Sequence, residues 1–175
     1  MIITAGKYKG QKIFAPDENI TRPTLSKVRM SVFNVLNSII DFDEKSFLDM
    51  YAGSGIMGLE AISRGFGRVV AFEKNPKIAN IIKKNYAKFS YSPDLIIGDS
   101  VKLISKIDEK FDVIYIDPPY FSGAYEQSLR LAKTKSKGII ILEHVTQLDF
   151  SEYNLIKQKK YGDKYITFLE NFERI

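Results

Sequence analysis

Asp117-Pro118-Pro119-Tyr120 follows the apolar run Phe111–Ile116 and joins a carboxylate, a rigid proline pair and an aromatic ring. Consecutive prolines hold the backbone extended. The Asp117 carboxylate and the Pro118 carbonyl can then serve as two acceptors aimed at one point, with Tyr120 a flat stacking surface beside them. The exocyclic amine of a nucleobase requires such partners, because it has two N–H groups to satisfy and a ring face to cover.

A second constellation, Phe47-Leu-Asp-Met-Tyr-Ala-Gly-Ser-Gly-Ile-Met-Gly58, places Gly53, Gly55 and Gly58 between a strand and a helix. Glycine there lets the chain turn sharply and pass close to a ligand. Asp49 stands before the turn, and Glu73 ends the next apolar run about 20 residues on, where an acid accepts hydrogen bonds from ribose hydroxyls. The Gly-x-Gly-x-x-Gly spacing is shared with dinucleotide sites. An acid in the turn region, however, disfavours a pyrophosphate and suits a ligand with a cationic amino-acid end, as S-adenosylmethionine has.

These residues need elements to hold them. Ile2–Thr4 and Gln11–Phe14 read as a short hairpin around Gly6–Gly10, and Pro23 biases Arg22 away from helix. Helical spacing of Val28, Val32, Val35, Leu36 and Ile39 predicts a helix from Ser26. Beyond Ser46 short apolar runs alternate with amphipathic stretches. Strands are expected at Phe47–Tyr51, Arg68–Glu73, Asp94–Ile97, Phe111–Asp117 and Gly138–Glu143. Helices are expected over Ile56–Arg64, Pro76–Phe89, Val101–Ile107 and Ala124–Ala132. Two late strands, Leu155–Tyr161 and Tyr165–Phe172, flank a turn at Gly162. Such alternation is the pattern of a parallel α/β sheet covered on both faces. No internal repeat or linker interrupts it.

Composition removes other chemistries. The 175 residues contain no Cys, which excludes a disulfide framework, a thiolate zinc site and a cysteine nucleophile. The single histidine, His144, follows the apolar strand Ile139–Leu142 and reads as structural; no metal site is expected. No apolar run approaches the roughly 20 residues of a membrane span. The N-terminus lacks a signal-peptide core, so a cytoplasmic protein is expected. With 26 Lys+Arg against 21 Asp+Glu the net charge is +5, a mild pointer to an anionic partner. Six of the cations, Lys7, Lys9, Lys12, Arg22, Lys27 and Arg29, lie in the first 30 residues against Asp17 and Glu18.

Phe47–Gly58, Glu73, Gly98-Asp99 and Asp117–Tyr120 together resemble the amino-methyltransferases that use S-adenosylmethionine and a D/N-P-P-Y/F motif. Ala5-Gly6-Lys7-Tyr8-Lys9-Gly10, then Arg22-Pro23-Thr24 with Val28-Arg29 and Phe33-Asn34, narrows the resemblance to the bacterial 16S rRNA guanine-N2 methyltransferase family, which acts on 30S particles. It runs over essentially the whole chain, including the Lys160-Tyr161-Gly162…Tyr165 hairpin. Two positions depart from the family pattern: Ala5-Gly6 replaces Gly-Gly, and Met30 replaces a Glu.

The resemblance implies a Rossmann-like methyltransferase fold. Its sheet has seven mostly parallel strands with an antiparallel C-terminal hairpin, preceded by a small N-terminal β-hairpin and helix. Residues 1–24 become an RNA-contacting extension and 25–175 the methyltransferase domain. S-adenosylmethionine, leaving as S-adenosylhomocysteine, is expected against Asp49, Tyr51, Gly53, Gly55, Glu73 and Asp99. Asp117, Pro118, Pro119 and Tyr120 are expected to take the target guanine. Lys7, Lys9, Arg22, Lys27 and Arg29 are expected on rRNA phosphates, and the protein is expected to act as a monomer. The rivals are an adenine-N6 methyltransferase for DNA or another RNA, a non-catalytic RNA-binding module, and a nicotinamide-dependent oxidoreductase. Asp117–Tyr120 argues against the last two, and the lack of a large target-recognition domain disfavours sequence-specific DNA.

Overall fold

The computed structural model describes residues 1–17, 24–120 and 123–171. The elements run α1 Ser26–Asn37, β1 Ser46–Asp49, α2 Ile56–Ser63, β2 Arg68–Glu73, α3 Pro76–Ala87, β3 Asp94–Ile97 and α4 Ser100–Lys106. They continue with β4 Phe111–Ile116, α5 Ala124–Lys135, β5 Ser136–His144, β6 Asn154–Tyr161 and β7 Lys164–Glu170. One sheet joins the strands in the order β3-β2-β1-β4-β5-β7-β6, parallel through β5, with β7 and β6 antiparallel. This is the expected α/β architecture. Among the described residues no helix is long and apolar enough to cross a membrane.

Period-two alternation divides the inner strands between two cores. Phe47, Val113 and Tyr115 face α1, α2 and α3; Leu48, Ile114 and Ile116 face α4 and α5. On the first face Phe33 of α1 stacks on Phe47 at 5.9 Å, and Phe66 meets Phe47 edge-on at 5.4 Å. Such ring pairs add roughly 0.5–1.5 kcal/mol beyond simple burial. The order of the sheet reverses between β1 and β4. Both strands end at the same edge, which leaves a crevice at the switch point where open α/β sheets bind ligands.

The N-terminal segment differs in detail from the expected hairpin. Only Ile2 and Lys12 form a bridge, with Ile3 N–H donating to the Gln11 carbonyl (3.0 Å) and Ile13 N–H to the Met1 carbonyl (2.9 Å). Side-chain packing, more than strand pairing, holds the segment. Ile3 and Ile13 are buried in the same core as α1 and α2. Phe14 exchanges two 2.8 Å hydrogen bonds with the Asn85 amide of α3.

Glu60, fully buried inside α2, is the centre of this attachment. It accepts from the Thr4 N–H and hydroxyl, both at 2.9 Å, from Arg29 Nε at 3.1 Å, and from Arg64. Arg29 is therefore not the RNA contact expected from sequence. It is 2% exposed. Its guanidinium also donates to the Ile2 carbonyl at 2.7 Å and to the Thr24 carbonyl. A guanidinium so desolvated must satisfy its donors inside the fold. Arg22 and Pro23 lie outside the described residues.

Removing one partner of a buried ion pair leaves the other charge uncompensated, at a cost of roughly 3–5 kcal/mol. Glu60→Ala should accordingly lower the urea midpoint with little change in slope. A loss below about 1 kcal/mol, the range of an exposed pair, would show that Glu60 does not organise this face.

Candidate active site

A cleft of about 1010 Å³ opens at the carboxyl ends of β1, β2 and β4. It is the size of an ordinary small-molecule site. Asp49, Tyr51, Gly53, Glu73, Asp99, Asp117, Pro118, Pro119 and Tyr120 all line it, together with Met1, Pro16 and Thr24 from the N-terminal region. Nine residues chosen from two separate motifs, spread over 72 positions from Asp49 to Tyr120, thus share one wall.

The glycine turn takes its shape from its neighbours. β1 ends at Asp49, earlier than expected, and the chain turns through Gly53 at φ +56. Gly53 donates its N–H to Glu73 Oε2 at 3.0 Å, while Asn75 N–H meets Glu73 Oε1 at 2.8 Å. These two bonds lock the Glu73 carboxylate at the tip of β2 and leave lone pairs facing the cleft. Gly55 has a different task from the one expected. It is buried at φ +80, and a Cβ there would come 2.8 Å from Tyr86. Its N–H donates to the Ala52 carbonyl at 2.8 Å, and its carbonyl accepts from the Tyr86 hydroxyl at 3.2 Å. It is not part of the cleft wall, because both backbone groups are spent on closing the turn.

Asp49 is 1% exposed and lines the cleft, with Oδ1 accepting the Tyr51 N–H at 3.3 Å. Burial, joined by the charges of Glu73 and Glu143 and opposed by that hydrogen bond, pushes its carboxyl up to about 7. Among the described residues no cation is paired with it, so a ligand ammonium would supply the missing charge. Burial also raises Glu73, against the hydrogen bonds from Asn75, Gly53 and Lys74 that favour its ionised form. Asp99 caps α4 by accepting from Lys102 N–H at 3.1 Å. Tyr51 ties the cleft to α5 through its 2.7 Å hydroxyl contact with Ser128. A desolvated carboxylate for an ammonium and a fixed carboxylate for hydroxyls, in a volume of this size, fit S-adenosylmethionine.

Lys27 is exposed on the first turn of α1, three residues after the cleft-lining Thr24. Lys7 and Lys9 are exposed beside Ser63, the last residue of α2, and so lie away from the cleft. His144 is structural as read. Its Nδ1 donates to the Thr146 carbonyl at 2.6 Å and its Nε2 accepts the Thr167 hydroxyl at 2.8 Å. Burial lowers its pKa, consistent with that neutral ring. Met30 is 47% exposed on α1. The cleft or cleft-supporting residues not foreseen include Ser100, which donates to the Met50 carbonyl, and the pair Lys164 and Glu143. A lone acid closing the apolar run Gly138–Leu142 was the available signal for Glu143.

The family model described as "Conserved hypothetical protein 95" matches residues 1–170. The chain is 33% identical over 137 residues to ribosomal RNA small subunit methyltransferase D of Buchnera aphidicola, covering 76% of this chain and 70% of that protein. The protein of the same name from Haemophilus influenzae is 33% identical over 134 residues, covering 74% and 68%. Among solved structures, yhhF from Escherichia coli superposes with a TM-score of 0.88 at 21% identity, over 99% of each chain. An RNA methyltransferase from Salinibacter ruber, in complex with S-adenosyl-L-homocysteine, superposes with a TM-score of 0.68 at 14% identity, over 87% and 95%. The sheet is thus that of the Rossmann-like methyltransferase fold.

The Asp49 carboxyl gives the ligand-free fold a defined pH response. Its folded value of about 7 stands above the ordinary 3.8, so between about 4 and 7 the folded state holds a proton that the unfolded chain has released. Stability from this group therefore falls as pH rises through that window and is fully lost above it. Asp49→Asn should melt higher than the parent at pH 8, with the gap closing towards pH 4. A gap independent of pH would refute the shifted carboxyl.

Proposed function

The chain belongs to the Conserved hypothetical protein 95 family, alongside the ribosomal RNA small subunit methyltransferase D proteins, and on that premise we propose that it methylates small-subunit rRNA from S-adenosylmethionine. We take the acceptor to be the exocyclic N2 of one guanine, presented by the 30S particle, and the enzyme to act as a cytoplasmic monomer without a metal. The observation that carries this reading is the meeting of Asp117–Tyr120 with Asp49, Gly53 and Glu73 on one cleft.

Asp49 and the Gly53 turn hold the amino-acid end of the cofactor, with Gly55 shaping the turn from behind. Glu73 accepts from the ribose hydroxyls, Asp99 from the adenine amine, and Tyr51 closes the wall. When bound, S-adenosylmethionine supplies an electrophilic methyl on a sulfonium. Tyr120 stacks on the extruded guanine, whose unstacking costs a few kcal/mol and least in an unpaired segment. Asp117 and the Pro118 carbonyl accept the two N–H groups of N2, and Pro119 keeps that pair of acceptors rigid. A guanine amine is a weak nucleophile because its lone pair is delocalised into the ring. Two fixed acceptors favour its rehybridisation and stabilise the positive charge that grows on nitrogen. Orientation supplies much of the remaining acceleration. The methylated amine is acidic, so its proton passes to Asp117 or water without a strong base.

Residues 1–24 serve as the RNA-facing extension of a methyltransferase domain spanning 25–175. Lys27 at the cleft mouth, and Lys7 and Lys9 at the far end of α2, contact phosphates. Lys27→Glu should weaken rRNA binding and flatten its dependence on salt while cofactor affinity holds. Equal loss of both affinities would count against a phosphate contact.

The deciding experiment offers labelled S-adenosylmethionine with unmethylated 30S particles, free rRNA and duplex DNA, followed by digestion and identification of the labelled nucleoside. N2-methylguanosine from the particle or its RNA, lost in Asp117→Ala, is the expected product. N6-methyladenine would keep the chemistry and overturn the substrate. Cofactor binding without transfer to any of the three would overturn the catalytic reading.

A further inference from the structure

One buried cation in the cleft has no part in the mechanism above. Lys164, the first residue of β7, is 9% exposed and lines the cleft with Asp117, Pro118 and Tyr120. The antiparallel register explains its position. Because Tyr165 pairs with His144 at the carboxyl end of β5, the start of β7 falls at the sheet edge where β4 also ends. Lys164 Nζ donates to Glu143 Oε2 and stands 5.8 Å from the centroid of the Tyr120 ring. Glu143 is fully buried, and its other oxygen accepts the Tyr115 hydroxyl.

An ammonium removed from water stays charged only when anions compensate it. Burial pulls Lys164 down, yet the charges of Asp117 and Glu143 outweigh it and hold the group above the usual lysine range. It is thus a fixed cation bonded to Glu143 and sharing the cleft lining with Asp117, and the two carboxylates have different surroundings. Glu143 is sealed in the sheet; Asp117 is half-buried at the cleft. The other titratable groups around them are Tyr115 of β4, Tyr120 beyond it, Tyr125 of α5, His144 of β5 and Asp49 of β1. Burial raises the Tyr115 and Tyr125 hydroxyls above the usual tyrosine range. His144 is committed to Thr146 and Thr167, and Asp49 belongs to the cofactor end.

We propose that Lys164 is a positioning residue for Asp117: its ammonium keeps the Asp117 carboxylate ionised, while Glu143 restrains that ammonium from closing onto Asp117 and taking the acceptors the exocyclic amine needs. This rests on the reading of Asp117 as an acceptor for that amine. The restraint matters because an ammonium carries three donors and could saturate a single carboxylate. Held by Glu143, it supplies charge to the Asp117 end of the cleft without itself closing onto that carboxylate.

Opposed shifts in two variants test the arrangement. Lys164→Met leaves two uncompensated carboxylates together and should raise the Asp117 midpoint by about one pH unit or more. Glu143→Gln removes the competing anion, so the midpoint should fall. The ammonium then occupies Asp117, and single-turnover methyl transfer at saturating cofactor should drop at least about tenfold. Lys164→Arg should restore the parent midpoint. Two readouts are taken: the pH profile of the single turnover, and the carboxyl 13C titration of Asp117 in ligand-free protein, assigned with Asp117→Asn. Saturating cofactor keeps Asp49 out of the first readout. Midpoints moving in opposite directions uphold the proposal, and if Lys164→Met fails to fold, the fall in Glu143→Gln decides it. Unmoved midpoints overturn it. A parent protein that transfers no methyl while the 13C midpoints move as stated upholds the hold on Asp117 and overturns the assigned function instead.

Discussion

The buried carboxylate of Glu60 is the point from which the cleft is built. It sits in the middle of a largely apolar helix, fully buried, and among the described residues its charge is met by Arg29, Arg64 and Thr4. Those partners come from α1, from α2 itself and from the N-terminal segment. A single desolvated charge therefore dictates how three pieces of chain approach one another. Each piece carries part of the cleft: α2 begins at the glycine turn, α1 begins beside Thr24, and the N-terminal segment contributes Met1 and Pro16. Had Glu60 been apolar, α1 would meet α2 by hydrophobic contact, which is not directional, and the N-terminal segment would keep its bonds to Ser63 and Asn85.

Within the cleft the same physics works in two ways. Asp49 and Glu143 are both removed from water, but Glu143 is neutralised by Lys164 and Asp49 is met by no cation among the described residues. Burial without a partner raises the Asp49 carboxyl and suits the site to a cation. The met charge builds a stable platform under Asp117. Buried ion pairs add little net stability compared with apolar packing. Their presence at this edge is better explained by the ligand chemistry they prepare than by folding.

Much of the fold was legible because its information is local. The apolar runs at Arg68–Glu73 and Asp94–Ile97 are strands with the expected bounds, and Pro76 opens α3 where it must. Asp117–Tyr120 and Asp49–Glu73 were legible as two motifs, and the parallel sheet accounts for their meeting, because every β-to-α turn of such a sheet opens on the same edge. What escaped was long-range. Lys164 falls on a hairpin turn in sequence and reaches the cleft only through the antiparallel reversal of β7. Arg29 and Lys27, two positions apart, look alike as cations; helical geometry turns one towards Glu60 and the other to solvent. No composition argument separates them.

That division of the basic residues constrains how RNA can be engaged. The cations grouped in the first 30 residues do not form one patch, since Arg29 is internal, Lys27 is near the cleft, and Lys7 and Lys9 pack beside the last turn of α2. The eight residues of α2 rise about 12 Å between its ends. On the proposed function, a nucleic acid touching both Lys27 and Lys7 follows part of that flank while one base turns into the cleft. A single nucleotide does not meet both conditions. On the proposed function an RNA of fixed shape does, and selectivity then comes from the distance between its backbone and the target base.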